Sequence, residues 1–186
     1  MDVPEALALL LLGLLTPEGL PAVAMEALDA GADDPSLAQL AGLTPFDPRE
    51  ARDLFQQAVA MMRISEPPIR DAALIGARWI AREALGERRA LSLACHQLWK
   101  LVVDWLWDDF CDDRLTPPLA DLAFFVQLHD DLELYQDDPV LRPRIERDIR
   151  SELEYVLGDG PKAAHPWSAD LEYRTGHGWA PKTNAS

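Results

Sequence analysis

The sequence predicts an all-α fold, a single-domain bundle or array of about eight helices, and three observations lead there. Leu and Ala together supply 56 of the 186 residues while Val, Ile and Thr supply 19, a bias toward strong helix formers. The β-branched residues nowhere gather into an alternating run of strand length. Apolar residues recur instead at helical spacing, segment after segment, between stops of Pro, Gly and Asp.

Asp2 followed by Glu5 has capping-box spacing and opens a first helix that runs to about Leu15, where Thr16 and Pro17 stop it. A second runs from about Pro21 to Ala30 with Gly31 as its stop. A third spans Pro35 to Ala41 between Asp34 as N-cap and Gly42. Asp47, Pro48 and Glu50 form another capping box, and Ala51, Leu54, Phe55, Ala58, Val59 and Met62 follow at helical spacing, so a fourth helix reaches about Arg63. Ser65, Pro67 and Pro68 start a fifth that ends near Gly86. Its faces are apolar nearly all round, as a central helix requires.

The longest helix is read from Glu87 to about Asp109, with Leu91, Cys95, Leu98, Trp99, Val102, Trp105 and Leu106 on its buried face. Thr116 as N-cap and Pro117 begin a seventh that runs to about Tyr135 with Leu122, Phe125, Val126 and Leu132 inward. Asp138 and Pro139 lead into an eighth with a narrow stripe of Ile145, Ile149, Leu153 and Val156. Its outer faces carry the pairs Arg144/Asp148, Glu146/Arg150 and Arg150/Glu154, as befits a peripheral helix. The all-helical domain is therefore placed at 1–158, a short-helix triplet over 1–43 packed on 47–158. After Gly158 periodicity stops, and 159–186 reads as a flexible or draped tail. In it Trp167, Tyr173 and Trp179 serve either to dock the tail or to contact a partner.

Charge is distributed unevenly along the chain. Met1 to Pro48 carries eight acids and no base, Arg49 to Trp99 eight arginines against six acids, and Lys100 to Asp138 eleven acids against Lys100 and Arg114. The rest is balanced at seven of each, for a total of −15. Two acidic blocks repel phosphate backbones and anionic lipid, which argues against nucleic acid and membrane surfaces and favours a basic protein partner. The bland alternative is that the acids only keep the protein soluble. Cys95 and Cys111, sixteen residues apart on one helix, stand roughly 24 Å apart, too far for a disulfide. Two unpaired thiols and the absence of a signal peptide point to the cytoplasm.

On a wheel of 100° per residue Lys100, Asp104, Asp108 and Asp112 fall in one row opposite the buried face. Each Asp–Asp neighbour pair there costs roughly 0.2–0.5 kcal/mol, and acids in a last turn also oppose the helix dipole. Trp107 lies beside the row with His96 and Cys111, while Asp109 and Asp113 fall toward the buried side if the helix persists. Either the helix ends near Asp108 and the acids solvate a loop, or Asp104, Trp107, Asp108 and Asp112 form a partner-binding face, Trp107 anchoring among carboxylates that meet Arg or Lys. An immunity-type inhibitor of a cationic toxin or nuclease is one form such a protein takes, by analogy.

Three resemblances stand beside this reading. The stretch from Gly31 to Leu43 resembles an N-terminal segment of short uncharacterised bacterial proteins, which implies no activity. Asp108-Asp109-Phe110-Cys111-Asp112 looks like the Asp-rich motif of isoprenyl diphosphate synthases, which would imply magnesium on a diphosphate. His96 and the pair His129-Asp130 resemble elements of HD-family metal phosphohydrolases. That likeness would make His96, His129 and Asp130 metal ligands with Asp148 or Asp170 as a fourth, although Leu132-Glu133 stands where that family usually has Gly-Lys or Gly-His. On the residues alone His129 sits amid Leu122, Phe125, Val126 and Leu132, the setting of a hydrogen-bonded core histidine. His165 and His177 lie in the tail without geometric support for a metal role. No catalytic residue and no cofactor is assigned. The readings in play are a binder of a basic protein, an HD-like phosphohydrolase, and an accessory domain without a site.

Overall fold

The computed structural model describes residues 1–112, 114–116 and 119–158, and the described residues are helical with no strand. The tail from 159 onward, with Trp167, Tyr173 and Trp179 and the candidate ligand Asp170, lies outside the described residues, as do Asp113 and Pro117. Helices are α1 (Val3–Leu11), α2 (Leu20–Asp29), α3 (Pro35–Ala41), α4 (Pro48–Met61), α5 (Ile69–Leu85), α6 (Leu91–Leu101), α7 (Trp107–Cys111), α8 (Phe124–Leu134) and α9 (Leu141–Leu157). A π-helical stretch, Val102–Leu106, joins α6 to α7 without a break. The chain divides into two compact units, Met1–Trp79 and the residues from Ile80 onward.

In the first unit the capping residues act as the sequence suggests. Asp2 accepts from the Glu5 amide at 2.8 Å, Asp34 from Ser36 and Leu37 at 2.8 and 3.1 Å, and Asp47 from Arg49 and Glu50 at 2.8 and 3.3 Å. These bonds satisfy first-turn amides that have no partner within the helix. One boundary differs. α1 stops four residues before Leu15 because Gly13 takes a left-handed φ of 69°, and the Leu14 and Leu15 amides turn back to the Leu9 carbonyl. The short helices then wrap Phe55, Leu54 and Ala58 of α4 with Leu20, Val23, Leu37 and Leu40, all nearly free of solvent contact.

In the second unit the long helix starts at Leu91 rather than Glu87. Glu87 adopts φ 59°, a left-handed conformation that no helix interior contains, so the chain turns there before α6 begins. Likewise α8 starts at Phe124, after a 3₁₀ turn over Ala120–Ala123, where an α-helix from Pro117 was expected. The stripe on α9 is as read, with Ile145, Ile149, Leu153 and Val156 buried. Among the described residues Arg142 pairs with Glu146 at 3.0 Å, and none of the three expected pairs forms. Glu152, on the same helix, is 1% exposed.

Candidate functional site

The long helix departs from α geometry just where its acids accumulate. A π turn closes i→i+5 bonds and so takes more residues per revolution than an α turn, and every position beyond it is rotated back relative to a wheel of 100° per residue. Burial records the shift. Leu98, Val102 and Leu106 are buried in steps of four, whereas Trp105, expected inward, is 40% exposed. The helix also continues to Cys111, so the ending near Asp108 is corrected along with the inward placement of Trp105.

The acids are compensated unequally from within the fold. Lys100 Nζ donates to Asp104 Oδ2 at 2.6 Å, and Arg114 reaches Asp109 at 3.3 Å and Asp112 at 2.7 Å. Asp108 is exposed and has no ion pair among the described residues. Asp109, half-buried, thus meets Arg114 rather than an apolar interior. The unbroken row read on the wheel becomes two tethered ends, Asp104 and Asp112, with Asp108 between them.

Trp105, Trp107, Asp104, Asp108, Asp109 and Arg114 line an open hollow of about 400 Å³. Trp107 is half-buried, and its ring lies 5.9 Å from that of Phe110. Of the four residues read as a contact face, Asp104, Trp107 and Asp108 line this hollow, and Asp112 is held by Arg114 beside it. Sequence reasoning missed Trp105, and no periodic signal could have recovered it, because the π turn that exposes it has no signature in the spacing of apolar residues.

His96 and His129, 33 residues apart in sequence, are brought together. His96 Nδ1 and His129 Nε2 are 2.9 Å apart, and Trp99 stacks on the His129 ring at 4.6 Å and 11°. His129 is 7% exposed, in keeping with a core histidine. Asp130 lies on the other side of the imidazole, 3.8 Å from Nδ1, so His96 and Asp130 address opposite nitrogens of one ring and do not converge on a common point. Glu133, not read as a candidate, stands 3.6 Å from Nε2. Among the described residues no group of three or more His, Cys, Asp or Glu side chains could hold a metal ion.

Cys95 and Cys111 are free thiols, the first buried and the second exposed. Burial, and then the charge of Asp130, push the Cys95 thiol up to about 12. Among the described residues no helix is long and apolar enough to cross a membrane. No protein-family model, no curated protein and no solved structure matches the chain.

Proposed function

We propose that the chain is a binding protein for a basic protein partner, and that a partner Arg or Lys side chain enters the hollow between Trp105 and Trp107. The observation that carries this reading is the convergence of two indoles with Asp104, Asp108 and Asp109 on one open hollow. An aromatic face attracts a cation by about 0.5–1 kcal/mol where exposed, and by about 2 or more once desolvated. Carboxylates around it fix the orientation of the charge. The tethers from Lys100 and Arg114 mean that unrelieved repulsion along the helix is not the argument. Asp108 and the tryptophans are.

An inhibitor of the immunity type fits such a surface, because its target would present a cationic face, and that detail remains an analogy. The phosphohydrolase reading finds His96 and His129 adjacent, but Asp130 faces the wrong nitrogen for a shared ion. We do not propose it.

Affinity capture from the native lysate, followed by direct titration of the captured protein, tests the reading. A basic protein should be recovered, and Trp107→Ala or Asp108→Ala should weaken its affinity by about tenfold or more, as loss of a desolvated anchor or paired charge does. Recovery of no basic protein, or an affinity unmoved by both substitutions, would overturn it.

A further inference from the structure

The acidic block from Lys100 to Asp138 holds two cations of its own, Lys100 and Arg114, and they meet the hollow differently. Arg114 follows α7, and its amide donates to the Asp109 carbonyl at 2.8 Å, so the chain folds back over the last turn of that helix. The return carries the guanidinium onto two carboxylates, with Nε 3.3 Å from Asp109 Oδ1 and Nη2 2.7 Å from Asp112 Oδ2. The same side chain forms part of the wall together with Trp105, Trp107 and Asp108. Lys100 meets the wall through Asp104, its ammonium 2.6 Å from Oδ2.

A guanidinium suits this wall better than an ammonium does. It is planar, so one edge can donate to two carboxylates while a face lies against an indole. It is also more weakly hydrated, and gives up less on leaving water for a space between two rings. An ammonium is a compact point charge without such an edge or face. Arg114 already makes the edge contact with Asp109 and Asp112. Its hold is shallow, since the side chain is 54% exposed and exposed ion pairs stabilise little. Asp108, exposed between the tethered acids, offers an incoming group a further acceptor. Two guanidinium groups side by side on Asp109 would repel each other, so a second enters as Arg114 swings out.

We propose that the hollow is an arginine site and that Arg114 is its resident occupant in the unbound chain, displaced when an arginine of the partner enters. The proposal rests on the reading of the hollow as the partner-binding surface, and adds to it a preferred side chain and a built-in competitor. Competition lowers the apparent affinity by the fraction of time the site stands open, so an Arg114 seated about nine-tenths of the time weakens binding about tenfold.

N-acetyl-arginine methylamide, which carries one guanidinium and no other charge, is the probe. It is titrated into the full chain while NMR follows the indole N–H signals of Trp105 and Trp107, assigned through Trp105→Phe and Trp107→Phe. Both signals should shift saturably, and the lysine counterpart should bind several-fold more weakly. Arg114→Gln should tighten the arginine probe about tenfold. Arg114→Lys should tighten it about threefold, and because this variant keeps the charge, its gain reports the lost fork rather than a change of field. Equal binding of the two probes, no tightening in Arg114→Lys, or no shift of either indole signal overturns the proposal. The partner reading is decided separately, by the Trp107→Ala and Asp108→Ala titrations of the captured protein.

Discussion

The indole of Trp99 stacks on the imidazole of His129 at a centroid distance of 4.6 Å and an interplanar angle of 11°, and this pairing joins α6 to α8. Both rings are confined, so the stack should be measurable apart from simple burial. A double-mutant cycle of Trp99→Leu and His129→Gln, followed by urea denaturation, is expected to give a coupling of about 0.5–1.5 kcal/mol. A coupling near zero would reduce the stack to shared area.

Asp34 is 7% exposed and accepts two amide bonds at the start of α3. Replacing it by Ala leaves two buried donors without an acceptor. Asp34→Ala should cost about 1–2 kcal/mol in urea. The matching change at the exposed cap of α4, Asp47→Ala, should cost less, because water can reach the freed amides.

Backbone amides of Leu141 and Val140 hold the Asp138 carboxyl below its ordinary value, each at 2.8 Å. A carboxyl depressed in the folded state contributes stability above its unfolded value and loses it as pH falls through the folded value. Asp138→Ala should therefore lower the urea midpoint at neutral pH. The gap from the parent should shrink as pH drops below about 4, and a gap independent of pH would remove the charged interaction as its cause.

Thiol chemistry should separate the two cysteines. The thiolate is the reactive form, and Cys95 is both buried and pushed up to about 12, while Cys111 is exposed. At about pH 8, near the ordinary thiol value, an aromatic disulfide should react with one thiol at once and with the second only as fast as the fold opens. Cys111→Ser should abolish the fast phase.

Local chemistry made the first unit readable. Pro35 and Gly42 bracket α3, and an Asp precedes the helix, so the sequence and the structure agree residue by residue. The second unit was less so, because its deviations arise where tertiary context overrides local preference. Glu87 turns left-handed before α6, the π stretch changes the phase of everything after Val102, and Arg114 folds back onto Asp109. The approach of His96 to His129 depends on how α6 and α8 pack, and no spacing within either helix encodes it. Trp107 and Asp108 were found because charge and aromatic character need no phase to be noticed. Trp105 was not, because its assignment depended on phase alone.

The π stretch amounts to a single surplus residue threaded into an otherwise regular rod. Deleting Val103 would let the rod close up as an ordinary α-helix while Trp105, Leu106 and Trp107 kept the phase they now hold, because the surplus residue is what sets that phase against the turns before it. A length change of one, at a site with no turn and no loop, would thus be absorbed silently, whereas straightening the same stretch at constant length would carry the indole of Trp105 inward and erase a recognition surface.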